Sequence, residues 1–293
     1  TSSSGSTGSK SQGKAMEGLE RSVECEFPRS KTVVEIEATP MAGVPCPGVV
    51  LVFHDVTELR RLENVRRDFA SNVSHELKTP LTIIQTSAET LLDGAIADPE
   101  YAMRFLHSIE EQGQRLHELI VDLLQLARIE SREQAFDLVA VPVRSVVQSL
   151  MDDLHSLSQS QEVSLELGET SDNLHVLADQ GAFRTIMQNL LSNGLKYTPV
   201  GGRVTISWEP DQTHATIRVR DTGVGISREH QARIFERFYR VDRARTREIG
   251  GTGLGLAIVK HLASVFSAEV SIQSEIGKGS VFALRIPLAD ESR

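Results

Sequence analysis

The chain has 293 residues and a formal net charge of −9. Because domains of about 100 to 150 residues are the common size, this length predicts more than one folded unit. The hydrophobic content of 40% and the charged content of 24% are ordinary for globular proteins, which excludes a fibrous or wholly disordered chain. The acidic balance argues against a nucleic-acid partner, because binding nucleic acid requires a basic surface.

The N-terminal residues 1–31 are predicted to form a flexible linker or tag, since they begin with a Ser/Gly string that lacks apolar residues. Cys25 and Cys46 lack CxxC spacing and therefore indicate neither a disulfide framework nor a zinc site. No apolar run approaches the ~18 residues of a bilayer-spanning helix. We expect no membrane span in this chain and a cytoplasmic location, and membrane anchorage by residues upstream of Thr1 stays open.

Two β-rich runs, residues 33–39 and 49–54, are separated by Pro/Gly turn material and predict a hairpin at the end of a domain. From residue 56 to Leu77, apolar residues recur at spacings of three and four, and a second such run covers residues 99–130. These runs predict an antiparallel helical hairpin. Its apolar stripes are wide enough that two copies are expected to pair into a dimeric four-helix bundle.

The remainder, residues 133–293, mixes helical runs with β-rich runs and predicts an α/β domain. The predicted strands in this part are residues 163–167, 204–208, 216–220 and 281–286.

The first helical run contains the sequence SHELKTPL at residues 74–81, in which His75 and Glu76 are adjacent and Thr79 follows one turn later. Imidazole titrates near neutral pH and can attack phosphorus when a neighbouring carboxylate orients it. A zinc-protease reading fails, because the second histidine of H-E-x-x-H is replaced by Thr79. Taken alone, a His-Glu pair is equally typical of a solvent-exposed helix.

The sequence NLLSNGLKYT at residues 189–198 has two asparagines on one helical face, Asn189 and Asn193. Their oxygens suit Mg²⁺, which binds few protein groups and keeps several waters. Lys196 would then lie near a phosphate.

Three further segments suit a nucleotide pocket. In DTGVGI at residues 221–226, Asp221 can accept a hydrogen bond from an adenine amine, although a plain turn is an alternative. In RIFERFYR at residues 233–240, the aromatic residues either flank a nucleotide or pack a short helix. GGTGLGL at residues 250–256 opens a helical run, whose backbone N–H groups could hold phosphates. Neither a dinucleotide fingerprint nor a P-loop is present in the sequence.

Together and in this order, SHELKTP, NLLSNGLKYT, DTGVGI, RIFERFYR and GGTGLGL closely resemble the sensor histidine kinase family over about residues 56–290. The resemblance implies a dimerising hairpin followed by an α/β sandwich ATP-binding domain of the GHKL (Bergerat) type. RRDFASNVSHELKTPLTII followed by ETLLDGA looks especially similar to the phosphate-regulon sensor subfamily. Residues 32–55 resemble the last strands of a PAS domain, and residues 56–132 the phosphotransfer hairpin.

The same resemblance implies site residues. His75 would be the phosphoacceptor, Glu76 its general base, and Thr79 the residue that positions water during dephosphorylation of a phospho-regulator. The implied ligands of ATP and Mg²⁺ are Asn189 and Asn193 for the metal, Lys196 for phosphate, Tyr197 and Asp221 with Gly223 and Gly225 for adenine, and Gly251, Thr252, Gly253, Leu254 and Gly255 for the phosphates. Gly194 departs from the family, which usually carries alanine there, and glycine weakens a helix interior.

The implied activity is autophosphorylation of His75 by Mg-ATP, followed by transfer to an aspartate of a response regulator, with phosphatase activity towards the phospho-regulator. Residues 131–142 are predicted to be a hinge, and residues 241–251 a mobile lid in which Arg243, Arg245 and Arg247 either meet phosphate or form a solvated charged run. Two other functions stay open: a nucleotide-binding regulatory module of the same ATPase superfamily, and a dimeric scaffold with a decayed ATP site.

Overall fold

The computed structural model describes residues 21–27, 30–41, 48–130, 136–241 and 251–289. The chain divides into two compact units, Thr1–Val73 and Ser74–Arg293. None of the helices within these described ranges is long and apolar enough to cross a membrane.

The first unit contains a three-stranded antiparallel sheet of β1 (Arg21–Phe27), β2 (Thr32–Pro40) and β3 (Val49–Asp55), in that spatial order. Strands β2 and β3 confirm the predicted hairpin, and β1 corrects the prediction that residues 1–31 are all linker. The missed signal is the alternation of apolar and polar residues along RSVECEF, which is typical of a strand. Residues 1–20 lie outside the described ranges.

Helix α1 (Thr57–Leu92) begins just after β3, where the Asp55 carboxylate accepts hydrogen bonds from the Thr57 N–H at 3.0 Å and from its hydroxyl at 2.5 Å. These hydrogen bonds lower the pKa of Asp55, because they stabilise its charged form. Asp55 therefore caps the N-terminus of α1.

Within the second unit, the last part of α1 and helix α2 (Pro99–Glu130) form the predicted hairpin. A short 3₁₀ turn, Ala95–Ala97, joins them after Gly94, whose φ of 118° suits glycine. The Asp98 carboxylate caps α2 by accepting from the Glu100 N–H at 3.0 Å. Leu119 and Leu126 lie buried on the inner face of α2, as the apolar spacing predicts.

The rest of the second unit is an α/β domain. Its elements in chain order are β4 (Val139–Pro142), α3 (Val143–Ser160), β5 (Ser164–Thr170), β6 (His175–Ala178), α4 (Gln180–Lys196), β7 (Arg203–Pro210), β8 (His214–Asp221), α5 (Arg228–Gln231), α6 (Gly255–Val265), β9 (Glu269–Glu275) and β10 (Gly279–Pro287). Five of the strands form one sheet in the order β5-β7-β8-β10-β9. Strands β5 and β7 pair in parallel and the other neighbours are antiparallel.

Helix α4 packs against α3 on one side and α6 on the other, and its inner face lies against β7 and β8. Phe183, Leu190 and Trp208 are among the fully buried side chains of this core. The four strands predicted in this part are confirmed as β5, β7, β8 and β10. Strand β4 pairs with β6, so the end of the predicted hinge is regular structure.

Gly194 lies where α4 crosses β7. A Cβ at this position would lie 3.1 Å from Cγ1 of the buried Val204, which is tighter than ordinary contact. The glycine that departs from the family pattern therefore allows a close helix-to-sheet approach.

Candidate functional site

Asp221 ends β8 and is only 5% exposed. Its Oδ1 accepts hydrogen bonds from the Gly223 N–H at 2.8 Å and from the Ser280 N–H at 3.1 Å. Burial raises the pKa of Asp221, and the same hydrogen bonds act in the opposite direction. A buried carboxylate fixed by two backbone donors is a preorganised acceptor for a ligand N–H group.

The two glycines after Asp221 stand where no side chain fits. A Cβ at Gly223 would overlap the carbonyl oxygen of Tyr197, and one at Gly225 would overlap that of Glu275. Gly225 also has a φ of +71°, a conformation that glycine adopts without strain. The loop after β8 is therefore pressed against the end of α4 and against β9.

Helix α4 carries the predicted polar face of Asn189, Asn193 and Lys196, which are all half-buried. Asn189 Nδ2 donates to the Thr185 carbonyl at 3.0 Å, and a Cβ at Gly255 would overlap Asn189 Oδ1. The start of α6 therefore lies directly against this face.

Tyr197 is the residue that follows α4. Burial raises the pKa of its phenol, and the charge of Arg240 opposes this shift. The Val224 N–H donates to the Tyr197 carbonyl at 3.2 Å, so Tyr197 lies against the loop that follows Asp221.

The glycine loop, residues 251–255, leads into α6. Gly251 and Gly253 have φ values of 146° and 73°, which only glycine adopts readily. The Leu254 N–H donates to Thr252 Oγ1 at 3.1 Å, and the Phe238 N–H donates to the Gly253 carbonyl at 2.9 Å. The loop after β8 and the start of α6 thus both contact α4 or the residue that follows it, and the polar face of α4, the loop after β8 and the glycine loop are together called the cleft.

His75 is exposed on α1, and Thr79 Oγ1 donates to the His75 carbonyl at 3.2 Å. Glu76, by contrast, is held by two cations. Its Oε2 lies 3.5 Å from Arg115 Nη2 and 3.3 Å from Arg240 Nη2. The candidate base is therefore ion-paired to both α2 and the α/β domain in this conformation.

Arg240 connects the two parts of the site. Its side chain is 8% exposed, pairs with Glu76 and also donates to the Gly251 carbonyl. A second connection runs from α2: Thr252 Oγ1 donates to Asp122 Oδ2 at 2.5 Å. A third joins Gln125 Nε2 to Thr185 Oγ1 at 3.1 Å. The hairpin therefore contacts the glycine loop and α4 through named polar groups.

Two family descriptions match this chain. Residues 65–132 match the His Kinase A (phospho-acceptor) domain, and residues 178–290 match the histidine kinase-, DNA gyrase B- and HSP90-like ATPase. The first match contains His75 and Asp122, and the second contains the cleft. The chain belongs to the sensor histidine kinase family.

Curated relatives agree with this assignment. The sensor-like histidine kinase SenX3 of Mycolicibacterium smegmatis is 40% identical over 238 residues, which are 81% of this chain and 62% of SenX3. The phosphate regulon sensor protein PhoR of Pseudomonas aeruginosa is 39% identical over 233 residues, which are 80% of this chain and 52% of PhoR. The chain thus spans little more than half the length of these relatives, and the resemblance to phosphate-regulon sensors is confirmed by a relative of that name.

Among solved structures, full-length ShkA in complex with AMPPNP superposes with a TM-score of 0.57 at 26% identity, over 73% of this chain and 47% of ShkA. The predicted order of a helical hairpin followed by an α/β sandwich is therefore confirmed for this histidine kinase.

Sequence reasoning missed several residues that the histidine kinase fold brings to the site. Arg240 ends the RIFERFYR segment, in which the aromatic residues alone suggest a contact with a nucleotide. Asp122 and Arg115 lie on α2, whose apolar spacing predicts a packing surface and no site residue. A charged residue at the inner edge of such a stripe is the sequence signal that could have indicated them. Arg243, Arg245 and Arg247 of the predicted lid lie in residues 242–250, outside the described ranges.

Proposed function

We propose that this chain is the catalytic part of a sensor histidine kinase that transfers the γ-phosphoryl group of ATP to His75 and then to an aspartate of a response regulator. The observation that carries the proposal is the chain of contacts from Glu76, beside His75, through Arg240 to the Gly251 carbonyl of the glycine loop. Because phosphoryl transfer depends on positioning and charge neutralisation, the donor cleft must approach the acceptor helix, and these contacts support such an approach.

For the nucleotide, the proposal assigns adenine to Asp221 and the phosphates to the glycine loop and Lys196. The fit of an adenine base is supported by the preorganised Asp221 carboxylate, which the Gly223 N–H holds in place, and by the absence of a side chain at Gly223, which lets the loop close against the Tyr197 carbonyl. ShkA, which shares the fold at 26% identity, is a complex with AMPPNP, and this supports ATP as the ligand here.

Asn189 and Asn193 are proposed to hold Mg²⁺, since they lie one helical turn apart on α4 and Asn189 Oδ1 faces Gly255 at the start of α6. When bound, Mg²⁺ neutralises negative charge on the phosphate oxygens. Lys196, one turn further along α4, adds a positive charge to the same region.

In the proposed reaction, an imidazole nitrogen of His75 forms a bond to the γ-phosphorus while the bond from that phosphorus to the bridging oxygen breaks and ADP leaves. The remaining ring N–H requires an acceptor, and Glu76 is the adjacent carboxylate. Because Glu76 pairs with Arg115 and Arg240, it must exchange at least one of these cations for His75 before transfer. Thr79, one turn away, is proposed to position water during dephosphorylation of the regulator.

We also propose that two copies pair through the hairpin. Two groups of exposed apolar residues form an interrupted stripe along α2, Met103 with Leu106 and Ile120 with Val121 and Leu124. Exposed apolar stripes of this extent mark contact surfaces, and pairing two hairpins gives a four-helix bundle.

The test is transfer of label from γ-labelled Mg-ATP to the purified chain. The parent should acquire acid-labile, alkali-stable label, and His75→Gln should lose at least about 99% of it, because the substitution removes the proposed nucleophile. His107→Gln is the matched control, since His107 is an exposed histidine on the neighbouring helix α2. Absence of label on a folded chain that binds ATP would instead favour the regulatory ATPase module.

A further inference from the structure

We infer that Asp122 of α2 competes with the nucleotide phosphates for the glycine loop, so that nucleotide binding and release of the loop from the hairpin are coupled. The inference rests on the proposed function, because it concerns regulation of the same ATP cleft. In this inference, the Asp122 carboxylate is an anion of the chain itself, and its hydrogen bond to the glycine loop must break when a nucleotide binds.

The contact itself is short and specific. Thr252 lies between the two positive-φ glycines of the loop, and its hydroxyl donates to Asp122 Oδ2 at 2.5 Å. The same hydroxyl oxygen accepts the Leu254 N–H at 3.1 Å. A hydroxyl has one proton to donate, so Thr252 cannot donate to Asp122 and to a phosphate oxygen at once.

The groups around the Asp122 carboxylate are ones that would also suit a bound phosphate. Burial raises the pKa of Asp122, and the Thr252 hydrogen bond and the charge of Lys196 oppose this shift, whereas Glu118 reinforces it. Thr252 and Lys196 are the groups assigned to the phosphates of ATP. A carboxylate and a phosphate both offer anionic oxygen acceptors, and the two repel each other when they share a site.

Several hydrogen bonds hold the glycine loop in this arrangement. Phe238 and Arg240 hold the carbonyls of Gly253 and Gly251, while Asp122 holds the hydroxyl between them. One turn after Asp122, Gln125 bonds to Thr185, whose carbonyl in turn holds Asn189. Helix α2 therefore contacts the glycine loop directly, and it contacts Thr185, which in turn bonds to the candidate metal ligand Asn189. Phosphates that displace Asp122 loosen the hold of α2 on the cleft, which frees the hairpin to present His75.

The experiment measures dissociation constants of ADP and of adenosine for the full chain by isothermal titration calorimetry. Asp122→Ala should lower the Kd of ADP by about three- to tenfold, because a charge-assisted hydrogen bond no longer has to be broken. Adenosine, which lacks phosphates, should bind the variant and the parent equally. Asp122→Asn keeps the shape of the side chain and removes its charge, so it should tighten ADP binding as well if the alanine variant folds poorly.

Glu118→Ala is the matched control, because it removes the same charge from α2 one turn earlier, at an exposed position. Unchanged or weaker ADP binding by folded Asp122 variants overturns the inference and leaves the proposed kinase function intact. Equal tightening by Glu118→Ala also overturns it, since the effect would then be general electrostatics. Failure of the parent and every variant to bind ADP overturns both the inference and the proposed function.

Discussion

At the scale of single residues, the site holds carboxylates under opposite constraints. Asp221 is buried against backbone donors, and its pKa is raised by burial. Glu76 is half-exposed and neutralised by Arg115 and Arg240. Asp221 therefore carries an electrostatic cost that ligand binding can recover, whereas Glu76 must leave a stabilising pair in order to act.

Asp221→Asn should abolish measurable ADP binding without lowering stability at neutral pH. An Asp side chain in the unfolded chain has a pKa of about 3.9, and burial raises the pKa of Asp221 above this value in the folded state. Between these two pKa values the folded state binds more protons than the unfolded state. The stability of the fold therefore falls as the pH rises through this interval. Removing the charge should therefore raise the melting temperature relative to the parent at pH 7 and not at pH 3.5. Thermal unfolding at both pH values checks this, and a variant less stable than its parent at pH 7 contradicts it.

Glu76→Gln should slow phosphorylation of His75 by about 100-fold or more, the usual range for loss of a general base. ADP affinity should change by less than about twofold, because Glu76 lies on α1 rather than in the cleft. Single-turnover labelling and calorimetry measure the two quantities. Glu110→Gln on α2 is the control, and an equal loss in this exposed variant would remove the special role of Glu76.

At the scale of secondary structure elements, packing overrides local propensity at Gly194. Alanine stabilises a helix interior by about 0.5 to 1 kcal/mol relative to glycine. A Cβ here, however, would press on the buried Val204 of β7. The position of α4 matters for function, because the same helix presents Asn189, Asn193 and Lys196 to the cleft.

Gly194→Ala should therefore destabilise the protein by about 1 to 3 kcal/mol, the usual cost of overpacking a core. Chemical denaturation provides the free energy of unfolding. Gly194→Ala should cost less free energy of unfolding in a Val204→Ala background than in the parent. In the double variant, the smaller side chain at position 204 removes the clash, and the added methyl group fills part of the cavity. A stabilised single variant would show that β7 yields to the added methyl group.

At the scale of the whole molecule, the proposed pairing depends on the interrupted apolar stripe of α2. Ile120→Glu with Leu124→Glu should convert a dimer into monomers, because it places two charges in a surface that pairing would bury. Sedimentation velocity measures the change. Arg104→Glu alters the charge of α2 by the same two units away from the stripe and should leave the dimer intact. A parent chain that is monomeric at micromolar concentration refutes the proposed pairing.

Much of this organisation could be predicted from the sequence, because it depends on local patterns. The apolar spacing predicted α1 and α2, and alternating residues predicted β7 and β8. Glycine positions indicated where the backbone adopts a positive φ, as at Gly225 and Gly253. These features follow from backbone geometry and periodicity, which a short stretch of sequence contains in full.

The order of the hairpin and the ATPase-like domain, the motifs of the cleft and the exposed histidine of α1 all follow from local sequence patterns. The contacts of Asp122 with Thr252 and of Arg240 with Glu76 and Gly251 do not, and neither does the packing of Gly194 against Val204. These pairs are separated by 130, 164, 11 and 10 positions respectively, counted along the chain. Their partners are chosen by how helices pack on one another and on the sheet, which no local pattern encodes.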